Sequence, residues 1–195
     1  MTSPRLVGPE SGGAPLEERT DDDLMRLSQA GAREAFAVLV ERHALRVVET
    51  CTRFAGDQNA GVELAQETWA AIWEHRSRYR AGSAFVVWLI TAARNRCRNH
   101  LRGRHVALRH ATATMVLGAA SSPDQIDALL VEERRRRVRD ALGQLAPATR
   151  EALLLRYGED LHYDQMAAVV GAGESTLRSR VHHGLKLLRD ILEGS

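Results

Sequence analysis

Nine arginines and no acidic side chain occupy residues 75–123 of this 195-residue chain. Within this acid-free segment, polar side chains recur at steps of three and four residues, which places them on one face of a helix: Arg94, Asn95, Arg98, Asn99 and Arg102. Arginine neutralises phosphates, and asparagine hydrogen-bonds the edge of a base. An ordinary solvated helix surface, which is the alternative, would intersperse Glu with Arg. This face therefore predicts contact with nucleic acid.

A basic loop precedes that face and contains Arg78, Tyr79 and Arg80. An aromatic ring can stack on an unpaired base, and the flanking arginines can neutralise the backbone. The loop is therefore a second part of the same candidate surface, with Tyr79 as its stacking residue.

A separate candidate lies near the C-terminus, where a short helical segment, the turn Gly171-Ala172-Gly173 and a longer helix over 174–192 have the outline of a helix-turn-helix. Apolar residues on the longer helix recur every three or four positions and are expected to be buried: Leu177, Val181, Leu185 and Leu188. The opposite face carries side chains that suit bases and phosphates: Ser175, Arg178, Ser179, His182, His183 and Lys186. Taken alone, this helix is equally compatible with a solvated basic surface.

The third candidate is acidic. Glu63, Gln66, Glu67 and Glu74 lie on a predicted helix in a region, residues 1–74, that has 13 acidic and 7 basic side chains. Such a face is either solvated or a docking surface for a basic partner. The net charge of +2 for the whole chain conceals this division between an acidic first part and a basic middle.

The elements that must position these residues are all helices. Residues 32–55 have apolar positions at steps of three and four, and the same spacing recurs around Leu64 and Trp69 and again from Phe85 to Leu101. No stretch alternates as a strand would. The fold is therefore predicted to be all-α, with two helical domains joined by a flexible linker.

Proline and glycine placement gives the domain boundaries. Three of the five prolines lie in the first fifteen residues, and the next is Pro123, so residues 16–122 can be helical without interruption by proline. We expect a disordered tail over 1–20, a first domain over 21–105, a linker over 106–127 and a second domain over 128–195.

Composition excludes several classes of protein. No secretory signal or apolar stretch of membrane-spanning length is present, which favours a cytoplasmic location. Cys51 and Cys97 lie on apolar stripes and are expected to be buried rather than to bind zinc, which needs four convergent ligands. No catalytic triad, phosphate-binding loop or dinucleotide motif appears. The sequence thus predicts neither an enzyme nor a cofactor or metal site.

Two regions of the chain resemble a known family. The first includes Asp23-Leu24, Gly31-Ala32-Arg33-Glu34-Ala35-Phe36, Glu63-Leu64-Ala65-Gln66-Glu67-Thr68-Trp69, Trp88-Leu89 and Ala92-Ala93-Arg94-Asn95. The second includes Leu145 to Tyr157, Tyr163, Met166-Ala167 and Ser175-Thr176-Leu177-Arg178-Ser179-Arg180-Val181. With the two regions in this order, the chain resembles the extracytoplasmic-function (ECF) sigma factors of bacterial RNA polymerase. The first region resembles the helical bundle of their region two, and the second resembles the helix-turn-helix of their region four.

The resemblance implies a role for each surface. The clamp coiled coil of the largest polymerase subunit would be bound by one helix, through Glu63, Leu64, Gln66, Glu67 and Trp69. The melted minus-ten element would be bound by Arg78, Tyr79, Arg80, Trp88, Arg94, Asn95, Arg98, Asn99 and Arg102. The minus-thirty-five element would be bound by Ser175, Thr176, Arg178, Ser179, Arg180, His182, His183 and Lys186. Further partners implied are the polymerase flap and an anti-sigma factor.

Three departures from the family pattern carry expectations of their own. Gly61-Val62 replaces acidic residues, so the polymerase-binding helix is expected to begin late. His162 replaces a serine that would cap a helix, a loss of about 1 kcal/mol. His183-Gly184 stands where Arg-Ala is common: the glycine is expected to weaken its helix by about 1 kcal/mol, and the loss of an arginine at His183 is expected to loosen phosphate binding.

Two rival functions differ in what they leave unexplained. A helix-turn-helix regulator that acts without polymerase would account for residues 145–192 and leave 21–105 without a role. A helical adaptor, or a degenerate sigma factor that binds partners only, would leave the Arg/Asn face without a role.

Overall fold

The computed structural model of the protein describes residues 14–108 and 126–194. These residues form eight α-helices and no strand, which confirms the all-α prediction. Residues 1–13 of the predicted tail lie outside the described residues. The prediction of disorder was wrong for the end of the 1–20 segment, where Leu16–Glu18 forms a 3₁₀ turn and Leu16 packs against the core of the first domain. The predicted linker over 106–127 is helical at both ends, because the fourth helix ends at Leu108 and the fifth begins at Ile126.

Four helices build the first domain: α1 (Asp21–Gln29), α2 (Arg33–Ala55), α3 (Gln58–Glu74) and α4 (Phe85–Leu108). Thr20 caps α1 by accepting a hydrogen bond from the backbone N–H of Asp23. Gly56 ends α2 in the left-handed conformation with φ 74°, which a residue with a side chain adopts with strain. The core includes Leu24, Leu39 and Leu89, all fully buried.

The start of α3 differs from the expectation. Asp57 accepts a hydrogen bond from the backbone N–H of Ala60 at 2.7 Å, so the helix is capped and begins at Gln58, ahead of Gly61. The expectation that this helix begins late was wrong, because a strong N-cap outweighs one glycine.

Gly61 is the point of closest approach between α2 and α3. A Cβ atom at this position would lie 2.8 Å from both the backbone N and the Cα of Thr52. Backbone atoms cannot move aside as a side chain can, so only glycine allows the two helices to pack at this separation. The absence of an acidic side chain at Gly61 thus has a packing reason.

We expect Gly61→Ala to destabilise the first domain by about 1–3 kcal/mol, the usual cost of overpacking. Urea unfolding followed by circular dichroism measures the change. Gly103→Ala on α4 is the matched control, since a Cβ atom there meets nothing within 4 Å and should add up to about 1 kcal/mol of stability. Equal stability of the two variants would contradict the close-packing argument.

Four helices also build the second domain: α5 (Ile126–Gln144), α6 (Pro147–Leu153), α7 (Tyr163–Val170) and α8 (Glu174–Glu193). A π-helical turn, Leu154–Gly158, continues α6. At the start of α7, Gln165 Oε1 accepts a hydrogen bond from the His162 backbone N–H at 2.9 Å. This contact supplies half of a capping box and offsets part of the loss expected from a histidine at this position.

The buried face of α8 is shifted from the predicted one. Leu177, Val181 and Gly184 are buried, whereas Leu185 is 38% exposed. A Cβ atom on Gly184 would lie 2.7 Å from Thr149 Cγ2 and 3.0 Å from Leu153 Cδ1, so the glycine lets α8 pack closely on α6. Gly184 therefore has a structural role that helix propensity alone did not reveal.

Cys51 and Cys97 are fully buried between α2 and α4, as their apolar neighbours predicted. The Cys97 thiol lies 3.9 Å from the Cys51 carbonyl oxygen, which accepts a weak hydrogen bond from it. Hydrogen bonding with Cys51 and burial both raise the pKa of the Cys97 thiol. Both residues therefore pack as small apolar side chains.

Within the described ranges, none of the helices has the length and apolar character needed to cross a bilayer. Over the same residues, His, Cys, Asp and Glu side chains form no cluster of three or more that could hold a metal ion.

Candidate nucleic-acid and polymerase interfaces

The outer face of α3 carries most of the predicted polymerase contacts. Glu63, Gln66 and Glu67 are exposed on this helix. Trp69 is half-buried and packs edge-on against Phe36, with ring centroids 5.9 Å apart. This polar, acidic surface with one aromatic edge is available to a partner.

Leu64 does not belong to that surface. It is 2% exposed and lies in the core of the first domain, one position along the helix from Glu63. Its position in the sequence motif therefore reflects packing of α3 on its neighbours. A contribution of Leu64 to docking would be indirect, through the position of the helix.

The outer face of α4 presents one stripe of polar side chains. Asn95, Arg98, Asn99 and Arg102 are all exposed along about two turns of the helix, and we refer to these four residues as the α4 stripe. Three- and four-residue spacing keeps them on one side of the helix. Their guanidinium and amide groups can therefore contact successive phosphates and bases of one strand.

Arg94 is the exception on this helix. It is 6% exposed, and its Nε and Nη2 donate hydrogen bonds to the two carboxylate oxygens of Glu151 at 2.6 and 3.2 Å. A bidentate pair of this kind is among the strongest that arginine makes. Glu151 lies on α6 in the second domain. In this arrangement Arg94 is therefore occupied within the protein rather than open to DNA.

Tyr79 is also placed differently from the predicted stacking role. Its ring is 5% exposed and packs against Phe85 and Trp88, while its single hydroxyl proton is shared between two acceptors, the Asp22 carboxylate and the Ser83 carbonyl oxygen. Burial, together with the Asp22 carboxylate, raises the pKa of Tyr79. The tyrosine thus anchors the loop from the inside, and Trp88, half-buried beside it, has the same role.

Two further residues hold this loop in place. Gln29 Nε2 donates hydrogen bonds to the carbonyl oxygens of Arg76 and Tyr79, both at 2.9 Å. The Asp22 carboxylate accepts a hydrogen bond from the Gly82 backbone N–H at 2.9 Å. Neither residue was predicted from the sequence. Asp22 lies in an acidic run that a helix N-terminus explains equally well, and Gln29 makes its contacts with residues that are distant in the sequence. The result is a fixed loop that leaves Arg78 and Arg80 exposed.

The helix-turn-helix consists of α7, a left-handed turn at Gly171 with φ 73°, and α8. Seven of the eight predicted minus-thirty-five residues are exposed on α8: Ser175, Thr176, Arg178, Ser179, His182, His183 and Lys186. The Arg178 guanidinium lies 4.4 Å from the centroid of the Tyr163 ring, a cation–π contact between α8 and α7. Arg180 is partly buried and lies apart from this face.

A cleft of about 520 Å³ lies between the two domains, beside their direct contacts. Arg98 and Arg102 of α4 line one side, and Arg150 and Arg180 of the second domain line the other. The α4 stripe thus partly faces the second domain. Its arginines share one basic cleft with a residue of the recognition helix.

These features together define an all-α protein with two domains, of which the second contains a helix-turn-helix. Residues 39–106 match Sigma-70 region 2, and residues 135–188 match Sigma-70 region 4. The first match covers the acidic face of α3 and the α4 stripe, and the second covers the helix-turn-helix.

Similarity to known proteins extends over nearly the whole chain. The chain is 37% identical to the RNA polymerase sigma factor CarQ of Myxococcus xanthus, over 83% of this chain and 91% of the relative. It is 30% identical to the ECF RNA polymerase sigma factor SigK of Mycolicibacterium vanbaalenii, over 98% of both. The chain belongs to the ECF sigma factor family of RNA polymerase, and its function is promoter recognition and transcription initiation.

Solved structures support the fold. The structure of CnrH in complex with the cytosolic domain of CnrY has a TM-score of 0.70 at 22% identity and covers 90% of this chain and 98% of that one. The sigma factor RpoE in complex with the anti-sigma factor NepR from Bartonella quintana has a TM-score of 0.68 at 22% identity, with coverages of 81% and 96%.

Family membership confirms three predictions: the resemblance itself, the two helical domains and the absence of an enzymatic role. It also argues against a regulator that acts without polymerase, since such a regulator leaves the region 2 match over residues 39–106 unexplained.

Proposed function

We propose that this chain acts in the cytoplasm as a subunit of RNA polymerase holoenzyme and uses three separate surfaces. The acidic face of α3, formed by Glu63, Gln66 and Glu67 with the edge of Trp69, binds the clamp coiled coil of the largest subunit. The second domain also contacts the polymerase flap. Support comes from the exposure of these carboxylates on one helix face, where a basic partner gains complementary charge.

The α4 stripe, with Arg78 and Arg80 of the adjoining loop, binds the melted minus-ten element and helps to open it. The single observation that carries this proposal is the exposure of two asparagines and two arginines along one face, inside a segment of 49 residues without an acid. Unpaired bases expose edges for amide hydrogen bonds, while arginines bind the backbone. Three predicted minus-ten residues do not lie on this exposed surface in the closed arrangement. Tyr79 and Trp88 support it by packing beneath the loop, and Arg94 is paired with Glu151.

The exposed face of α8 binds the minus-thirty-five element in the major groove. Recognition helices contact bases mainly through residues near their N-terminal end. Ser175, Thr176 and Arg178 occupy this position on α8, and Lys186 lies two to three turns further on, where a phosphate contact is expected. The two functional units correspond to residues 21–105 and 128–195.

An anti-sigma factor is a further proposed partner. Support comes from the fold similarity to RpoE, whose structure was solved in complex with the anti-sigma factor NepR. No residue of this chain identifies the partner.

Selection of promoters from a randomised library by the holoenzyme tests the assignment of surfaces to elements. Two enriched sequence blocks are expected upstream of the start sites. Arg178→Ala should relax the upstream block at one position, at a cost of about 1–3 kcal/mol in discrimination, and leave the downstream block unchanged. Arg189→Ala, exposed on α8 beyond the proposed contact face, is the matched control. A change in the downstream block alone would contradict the assignment of α8.

A further inference from the structure

Glu159 is a buried carboxylate whose partners all come from the other domain. It follows the π-helical turn of the second domain and is 3% exposed. Its Oε1 accepts hydrogen bonds from Thr50 Oγ1 at 2.7 Å and Arg53 Nη2 at 2.8 Å. Arg46 donates to its Oε2 at 3.2 Å and to its carbonyl oxygen at 2.8 Å. Three donors on α2 thus satisfy one acceptor group of the second domain.

A second ionic contact crosses the same interface. Glu151 on α6 holds Arg94 of α4 in the bidentate pair described above, and Arg94 Nη1 also lies 3.4 Å from the Val169 carbonyl oxygen. Between the two contacts, Ile90 of α4 is fully buried in the hydrophobic core of the second domain. The domains are therefore joined by an apolar patch with a carboxylate contact at each side, one buried at Glu159 and one partly buried at Glu151.

This closed arrangement cannot bind both promoter elements at once. Arg102 of α4 and Arg180 of α8 line a single cleft. Elements centred about 25 base pairs apart lie about 85 Å apart along B-DNA, at about 3.4 Å per pair. The α4 stripe and the recognition helix must therefore separate before the proposed DNA contacts can form together.

We propose that Glu159 and Glu151 act as two latches that hold a closed resting state, in which Arg94 is withheld from promoter DNA. This inference rests on the proposed function for its consequence, since the release of Arg94 matters only if α4 binds DNA. Opening exposes both carboxylates and Arg94 to water, which solvates them, whereas Arg46 and Arg53 are already 37% and 34% exposed in the closed state. Loss of one partner in the closed state instead leaves a buried charge unpaired, so the closed state is sensitive to single substitutions.

Glu159→Gln, Glu151→Gln and the double variant test the latches. Dyes attached at Glu41→Cys and Glu193→Cys, both exposed and in different domains, report domain separation by single-molecule energy transfer, since the native cysteines are buried. The closed population is expected to dominate in the parent chain and to fall at least about tenfold relative to the open one in the double variant, as both ionic contacts across the interface are lost. Asp164→Asn, an exposed carboxylate on α7, is the matched control and should stay closed.

Arg53→Ala tests the same latch from the first domain. The Arg53 side chain is 34% exposed, so its loss removes a partner of Glu159 without a cavity in the core of the second domain. It should shift the chain toward the open state as Glu159→Gln does, but by a smaller factor, because Arg46 and Thr50 still donate to Glu159, and circular dichroism should stay unchanged. Energy transfer that stays at the parent value in folded Glu159→Gln and Arg53→Ala would overturn the proposal.

Binding of a single-stranded minus-ten oligonucleotide, measured by fluorescence anisotropy, separates this inference from the proposed function. Tighter binding by the double variant than by Asp164→Asn supports the withholding of Arg94. Open variants that bind no better than the closed control would overturn that part. Open variants that bind no DNA and start no transcription with core polymerase would contradict the proposed function while supporting the latches.

Discussion

Asn95→Ala is expected to reduce promoter opening by about 5- to 150-fold and to leave binding to core polymerase intact. Asn95 is exposed on the α4 stripe, and its amide can donate to and accept from the edge of one base. A well-placed amide–base contact is worth about 1–3 kcal/mol of discrimination. Promoter opening requires that the melted strand stay bound so that the duplex does not re-form. The loss of the Asn95 contact is therefore expected to slow the opening step.

Fluorescence of 2-aminopurine placed in the minus-ten element measures opening, and native gel mobility measures core binding. Asn59→Ala is the matched control, since Asn59 is an exposed asparagine in the same domain, on the first turn of α3. It should open promoters as the parent chain does. Opening by the Asn95→Ala holoenzyme at the parent rate would show that the α4 stripe does not bind the minus-ten element through this residue.

The double charge reversal Glu63→Lys with Glu67→Lys is expected to weaken binding to core polymerase by at least about tenfold, because like charges brought together at an interface cost several kcal/mol. Both side chains are exposed, so the fold should survive the change. Glu67 makes only a 4.0 Å ion pair with Arg96, and an exposed pair of this kind contributes about 0–1 kcal/mol.

Competition against labelled parent chain for a limited amount of core polymerase measures this loss. Glu41→Lys is the control, because it reverses an exposed charge on α2, away from the proposed docking face. Rising salt should weaken parent binding as well, since the attraction is between exposed charges. Undiminished competition by the double reversal would place the polymerase contact on another surface.

The helices could be predicted from the sequence because local spacing determines them. The pattern over 32–55 predicted a helix that the structure places at Arg33–Ala55, and the turn at Gly171-Ala172-Gly173 separates α7 from α8 as expected. Apolar residues at three- and four-residue steps define one side of a helix without reference to any other part of the chain. The same spacing predicted the exposed residues on α3, α4 and α8 that form the three candidate surfaces.

The contacts that change the function of individual residues could not be predicted in this way. Arg94 and Asn95 are adjacent in the sequence, but one is buried against Glu151 of the other domain and the other is exposed. Periodicity gives the direction of a side chain and carries no information about which distant segment lies there. Glu159, 109 residues from Thr50, had no local feature to distinguish it from a surface carboxylate.

Tyr79 shows the same limit for a loop. An aromatic residue between two arginines has the composition of a stacking surface, yet its neighbours in space are Phe85, Trp88 and Asp22. Gly184 shows it for a helix, where propensity predicted a cost and the tertiary packing on Thr149 explains the residue. In each case a contact between elements determined the outcome.

Transcription with purified core RNA polymerase, in the presence and absence of this chain, tests the central claim most directly. On a library of promoter fragments, start sites that depend on the added chain are expected, together with comigration of the chain and core polymerase. No new start sites and no comigration would contradict the account.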